Sequence, residues 1–342
     1  MINQKHINLN NLNQLTDFEK IILVTGKKSF KKNDSARLIL EKFNKKTLHL
    51  KKDNSPTEIS YIKKIIIEND IKKINCIVAI GGGNVIDFAK SLIYFSESKA
   101  QYFLAIPTTC GSGSESTNFF VAYENNLKKS LKSEYILPSF ILLNYKNLLG
   151  LNKKTLISSY IDALSQSIES FWSINSTQKS KLISLKALEH LILAKDGLTD
   201  YQSKSLKHAQ MGSNLAGKAI NISKTTAPHA FSYYFNKHNI PHGFAVNITT
   251  TFFMKFIYDN GSTKLKKDLD DLSNSLIKKD FIHFIIFYSD ILKSLGNRSI
   301  KEFKKIKNFN FENFYNSVNK ERLKNNPVKI SKKSLKNYLD IL

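Results

Sequence analysis

Three of the chain's eight histidines, His229, His238 and His242, fall within the segment KTTAPHAFSYYFNKHNIPHG at 224–243. Neutral imidazole is the commonest side-chain ligand for a metal ion, and two imidazoles projected from a short segment can share one. Pro228 precedes His229 and Pro241 precedes His242. A residue before proline is pushed towards extended backbone, so each Pro-His pair marks a place where a helix is entered or left. A lone histidine is more often structural, and two still need further ligands. The upstream stretch YIDALSQSIESFW offers them. Ile161, Leu164, Ile168 and Trp172 recur at helical spacing, which predicts an amphipathic helix. Asp162 and Gln166, four apart, share one face of it, with Glu169 close by. One carboxylate oxygen and two imidazoles form a mixed set suited to a divalent ion such as Fe or Zn. Bound there, such an ion would act as a Lewis acid on a carbonyl oxygen.

Phosphate chemistry is the second theme. Gly81, Gly82 and Gly83 stand between an apolar run and a helical pattern, where bare amides and a helix N-terminus can hold a pyrophosphate. Three glycines alone are also a plain turn, and GGGN is not the GxGxxG fingerprint. The hydroxyl-rich PTTCGSGSEST follows another apolar run.

The elements that must position these residues change character along the chain. Residues 21–25 (IILVT) read as a strand ending at Gly26, followed by a basic helix through Leu40 and a short strand at 47–50. A helix over 56–70, a buried strand at 76–80, a helix from near Val85 and a strand at 103–107 complete an alternation that predicts a parallel α/β sheet. Beyond Gly150 the pattern is helical, over 153–171, 178–194, 201–220 and 244–258. The shift places a domain boundary near 148–152, dividing an α/β unit, 1–150, from a helical unit, 151–342.

A chain of 342 residues is long enough for two domains. Its net charge of +24 would suit nucleic acid, an anionic membrane or an acidic substrate. The lysines are scattered and no nucleic-acid-binding motif accompanies them, so the reading is a small anionic partner, not nucleic acid. Arginine occurs only at 37, 298 and 322. The two cysteines, Cys76 and Cys110, form no framework, which suggests a reducing compartment. The N-terminus lacks a signal-peptide core and no uncharged run approaches the ~18 residues of a membrane span. The expected location is cytoplasmic, away from membranes.

GGGNVIDFAK (81–90), IPTTCGSGSEST (106–117), the Asp162 helix and the two Pro-His pairs stand in the order found in iron-containing (group III) alcohol dehydrogenases. The chain resembles that family from about Ile21 to the ERLKNNP near its end. The resemblance implies a Rossmann-like α/β dinucleotide-binding domain with a parallel sheet, followed by an all-α domain, as in dehydroquinate synthase-like folds. It implies one divalent ion, Fe2+ or Zn2+, on Asp162, His229 and His242. The family's further ligand, a histidine one turn after the aspartate, is replaced by Gln166, whose amide oxygen would ligate weakly or hold a water. SQSIESFWSINST and KTTAPHAFSYYF look most like the branch that reduces phosphonoacetaldehyde to 2-hydroxyethylphosphonate. For the cofactor, the resemblance implies contacts from Gly81, Gly82, Gly83, Asn84 and Asp87, from Thr108, Thr109, Ser112 and Thr117, and from Lys129. Asn54 joins that set. Gly26 stands where members preferring NAD often carry an acid. With Lys27, Lys28, Lys31 and Lys32 nearby it favours NADP(H) over NAD(H). Tyr233 and His238 are candidates to relay the proton, and Lys224 to bind an anionic substrate tail. A homodimer is a candidate assembly.

Three other classes share part of this pattern. A general alcohol dehydrogenase would carry every motif without depending on an anionic tail. A metal-dependent cyclase of the dehydroquinate synthase type has a related fold, but Asp162 and the branch resemblance argue against it. A non-catalytic basic protein that has lost its metal through Gln166 would retain the fold alone.

Overall fold

The computed structural model describes residues 4–27, 30, 34–53, 55–125, 127–238, 240–306 and 309–341. The strands are β1 (Lys5–His6), β2 (Ile21–Gly26), β3 (Thr47–Lys52), β4 (Cys76–Gly81), β5 (Tyr102–Pro107), β6 (Phe119–Glu124), β7 (Leu127–Lys132) and β8 (Phe140–Ile141). Six of them form one sheet in the order β1-β8-β5-β4-β2-β3, with every pairing parallel. Helices α1 (Asp34–Phe43), α2 (Ile59–Glu68) and α3 (Gly83–Phe95) lie within this half.

The central strands are apolar on both sides, as a parallel sheet covered on two faces requires. Ile22, Val24, Ile77, Ala79, Phe103 and Ala105 pack into one core with α3. Their neighbours Leu23, Val78, Ile80, Leu104 and Ile106 join a second core with Leu12, Leu15 and Ile39. The order places the C-terminal ends of β2, β4 and β5 side by side, where an open α/β sheet binds its ligand.

After β8 the described chain is helical: α4 (Lys153–Trp172), α5 (Gln178–Ala194), α6 (Ser203–Ser223), α7 (Ala227–Phe231) and α8 (His242–Asn260). Then come α9 (Thr263–Ile277), α10 (Phe281–Ser294), α11 (Ile300–Ile306), α12 (Phe311–Asn316), α13 (Lys320–Leu323) and α14 (Lys332–Asp340). A third core runs from Leu156 in α4 to Leu339 in α14 and takes in Cys110 and Leu148 from the first half.

One expectation is corrected here. Helix α4 is not amphipathic: from Leu156 to Trp172 every residue except Ser159 is buried. Buried polar groups on it find partners, Ser167 Oγ donating to Ala163 O at 2.7 Å and Trp172 Nε1 to Thr226 Oγ1 at 2.8 Å, with Gln166 Oε1 an exception. The lysine-rich 127–132 stretch is strand β7, paired antiparallel with β6 in a hairpin outside the main sheet.

Candidate metal and cofactor cleft

Asp162 sits in the middle of α4, with His229 on α7 and His242 at the first residue of α8. Each Pro-His pair does mark a helix entry. Pro228 lies in the first turn of α7 and Pro241 is the N-cap of α8, where a missing amide proton costs nothing. One ligand atom from each of Asp162, His229 and His242 lies within 4.8 Å of the others. His229 Nε2 is 3.2 Å and His242 Nε2 3.9 Å from Asp162 Oδ1. Asp162 and His229 are buried, and His242 opens to the cleft.

The donor set fits a cation. Glu169, one turn below Gln166, is fully buried and accepts from His229 Nδ1, from Thr226 N at 2.7 Å and from Thr226 Oγ1 at 3.1 Å. With its Nδ1 proton committed to Glu169, a neutral His229 presents the lone pair of Nε2 to the carboxylate of Asp162. Two lone pairs at that distance repel unless a positive charge lies between them. A carboxylate holding the far nitrogen of a ligand histidine is the usual support of a metal site. Burial alone would lower the His229 pKa, but Glu169 and Asp162 raise it. Burial would raise Asp162, but His242 and His229 hold it below the ordinary carboxylate range. Gln166 is buried and donates to Asp162, while its Oε1 has no hydrogen-bond partner. An orphaned acceptor beside three ligand atoms is what a fourth, neutral ligand would look like.

A cleft of about 830 Å³ runs from this centre to the sheet, lined by Asp162, His229, His242, Gln166 and Tyr233 on the helical side and by Gly83, Asn84 and Ser112 on the other. Gly82 is the N-cap of α3, so the amides of the glycine turn face the cleft at a helix N-terminus. A Cβ on Gly83 would lie 2.6 Å from Ser112 Oγ, so the two loops can touch only through glycine. Thr109 flanks Gly82, and Thr108 N donates to Gly81 O at 3.0 Å. Asn84 donates to the carbonyls of Asp53 and Ser55 and accepts from Thr57.

Several of the expected cofactor contacts line the cleft and also have structural work. Asp87 accepts from Ser114 Oγ and from Val121 N at 3.0 Å, tying the second loop and the β6–β7 hairpin to α3. Thr117 Oγ1 accepts from the buried Lys90 at 2.9 Å. Lys129 faces the cleft from β7, paired with Glu124. Gly26 ends β2 opposite Lys52, and Lys27 beside it lies 3.7 Å from Asp53. Asn54, Lys28, Lys31 and Lys32 lie outside the described residues. Tyr233 lines the cleft, and Asn319 Nδ2 donates to its hydroxyl at 3.3 Å. His238 is not brought to the centre: its ring packs edge-on to Phe303 and against Tyr234, and it does not line the cleft.

Lys224 does line the cleft. It caps α6 with φ +67° and ψ 172°, a conformation nearly confined to glycine and retained by other residues mainly at functional sites. Burial and the neighbouring Lys132 lower its pKa to about 8, against the opposing pull of Glu321 and Glu134.

From sequence, Glu169 is visible only as a neighbour of Asp162, and Lys90, Glu115 and Arg322 do not stand out as site residues. Lys90 is fully buried, held by Thr117 Oγ1 and by Phe119 O at 2.9 Å, near Asp87 and Glu115. Its signal was present as the lysine ending GGGNVIDFAK.

Residues 2–145 match the iron-containing alcohol dehydrogenase family, and residues 156–340 match the C-terminal part of the Fe-containing alcohol dehydrogenase family. The chain belongs to the iron-containing alcohol dehydrogenases. It is therefore an NAD(P)-linked oxidoreductase acting on alcohols and aldehydes. It is 31% identical over 279 residues to 4-hydroxybutyrate dehydrogenase of Clostridium kluyveri, covering 75% of each chain. It is 30% identical over 202 residues to phosphonoacetaldehyde reductase of Streptomyces viridochromogenes, a match spanning 50% of each. Its fold superposes on sulfoacetaldehyde reductase from Bifidobacterium kashiwanohense in complex with NAD+ at a TM-score of 0.85, with 21% identity and coverage of 99% and 96% of the two chains. Among the described residues no helix is long and apolar enough to cross a membrane.

Proposed function

We propose that this chain reduces a small aldehyde carrying an anionic tail, phosphonoacetaldehyde to 2-hydroxyethylphosphonate, as a step of phosphonate biosynthesis. The reading includes one divalent ion, Fe2+ or Zn2+, and prefers NADP(H) to NAD(H). The observation that carries it is a metal-ligand centre and a cationic wall in one cleft. Asp162, His229 and His242 converge on one side, and Lys224 and Lys132 line the same space without a carboxylate in ion-pair distance among the described residues.

When bound, the ion supplies Lewis acidity at the aldehyde oxygen and the nicotinamide supplies the hydride. The chain's own residues do the rest. Glu169 fixes the ring of His229 so that Nε2 points into the cleft. Gln166 Oε1 is available as a neutral oxygen donor. The amides at Gly82 and Gly83 would hold the pyrophosphate at the N-terminus of α3, with Thr109 and Ser112 beside them. Tyr233 Oη, oriented by Asn319, gives the proton that completes the alcohol.

A second substrate, the semialdehyde that yields 4-hydroxybutyrate, is favoured by the 31% identity over three quarters of the chain. It shares the anionic tail. The deciding assay is oxidation of NADPH and NADH with phosphonoacetaldehyde, succinic semialdehyde and acetaldehyde. A higher kcat/KM for either anionic aldehyde is expected. A preference for acetaldehyde would leave only the general alcohol dehydrogenase reading.

A further inference from the structure

Lysine supplies nearly all the cationic positions of this chain; only three of its 52 Lys and Arg residues are arginines. Arg37 pairs with Asp34 on the surface and Arg298 is exposed. The third, Arg322 on α13, faces the cleft. Arginine differs from lysine in its rigid fork of donors, which matches the oxygens of carboxylates, phosphonates and sulfonates, and in keeping its charge at any working pH.

Arg322 is tied to the same unit that carries the metal ligands. Its Nη1 donates to Thr225 Oγ1 at 3.0 Å, between Lys224 and the Thr226 that binds Glu169. Helix α13 is capped by Asn319, whose Oδ1 accepts from Arg322 N at 2.9 Å and whose own amide donates to Ala230 O at 3.0 Å, the residue after His229. Asn325 Nδ2 donates to Thr225 O at 3.0 Å. These bonds fix the guanidinium relative to His229, leaving its other N–H groups without a carboxylate partner among the described residues. The contrast with Lys129, which shares the cleft wall but is paired with Glu124, is informative. Of the nearby acids, Glu134 accepts from Asn118 and Glu321 lines the cleft without pairing to Arg322 or Lys224.

We propose that Arg322 is the specificity-determining residue of this enzyme, its guanidinium binding the anionic tail of the aldehyde together with Lys224. The inference rests on the anionic-aldehyde reading above. Because the guanidinium and His229 are held in one hydrogen-bonded unit, the site reads the spacing from tail to carbonyl.

The test uses Arg322→Ala and Arg322→Lys of the metal-loaded enzyme at saturating cofactor, with phosphonoacetaldehyde, succinic semialdehyde and butanal. The readout is the ratio of kcat/KM for each anionic aldehyde to that for butanal. One charge-assisted contact corresponds to about a ten- to hundredfold fall in that ratio for Arg322→Ala, carried by KM. Arg322→Lys should fall less, and added guanidinium should restore part of the Arg322→Ala loss with the anionic aldehydes only. Metal content and melting temperature report the fold. Should Arg322→Ala not fold, Arg322→Lys reads the same ratio. Equal losses on all three aldehydes, or a rise confined to the KM of the cofactor, would overturn the assignment. A wild-type enzyme with no preference for anionic aldehydes would overturn the substrate class itself, whereas a wild-type preference kept intact by both variants would overturn Arg322 alone.

Discussion

Glu169 makes the case for reading a site through its supporting groups. It touches no cleft, yet it decides which nitrogen of His229 is free, because a buried carboxylate accepting from Nδ1 fixes the tautomer. Glu169→Gln keeps the size and removes the charge. Apparent metal affinity should drop about 10- to 100-fold, measured by competition with a chelator, while Asp162→Ala or His242→Ala should retain no metal. Unchanged affinity in Glu169→Gln would mean that His229 is oriented by packing alone. At the cofactor end, Gly26→Asp would set a carboxylate beside Lys27 and against any 2′-phosphate. The ratio of NADPH to NADH efficiency should shift towards NADH, and a constant ratio would show that this turn does not face the ribose. The candidate metal centre of Asp162, His229 and His242 was legible in the sequence because Pro-His pairs and helical spacing are local. The pairing of Glu169 with His229, 60 positions apart, has no local trace.

Helices and strands were legible where burial is uniform. The strands at 21–25, 76–80 and 103–107 are unbroken apolar runs because helices cover both faces of the sheet, and α5 spans Gln178–Ala194 as its periodicity indicates. The hairpin was not, because the lysines of β7, at 128, 129 and 132, read as a solvated surface. Nor was the full burial of α4, since its serines, Asp162, Gln166 and Glu169 look like an exposed face until their partners on α6, α7 and α8 are in place. The two halves meet closely at Gly113, which has φ +61°, and Gly217 on α6. A Cβ on Gly217 would lie 2.6 Å from Gly113 O, which is backbone and cannot rotate away. Gly217→Ala should therefore destabilise by about 1–3 kcal/mol and raise the KM of the cofactor, because the displaced loop carries Thr109 and Ser112. A lower melting temperature with cofactor binding intact would show that the loop moves independently of α6.

At the scale of the whole molecule, the excess of 24 positive charges and the cationic wall of the cleft act in the same direction on an anionic substrate. They respond differently to conditions. Lys224, lowered to about 8, is charged well below that pH and loses its proton as the pH rises through it. Lys132, Arg322, Glu321 and Glu134 surround it, so the ratio of anionic to neutral aldehyde efficiency should fall above pH 8 without vanishing. A ratio flat from pH 7 to 9 would place the Lys224 ammonium away from the tail. The long-range field answers to ionic strength instead. Its reach is about 10 Å at 0.1 M salt and 3 Å at 1 M, so scattered surface lysines are screened while contacts inside the cleft persist. Raising potassium chloride should lower kcat/KM for the anionic aldehyde several-fold and leave butanal nearly unchanged, with cofactor kept saturating. Replacing chloride by sulfate at equal ionic strength then separates the two sources. Screening depends on ionic strength alone, whereas occupation of the Arg322–Lys224 site by a tetrahedral dianion gives additional competitive inhibition against the anionic aldehyde. Equal inhibition by both salts would assign the effect to the field, and no effect of either would show that the surface charge serves neither encounter nor binding.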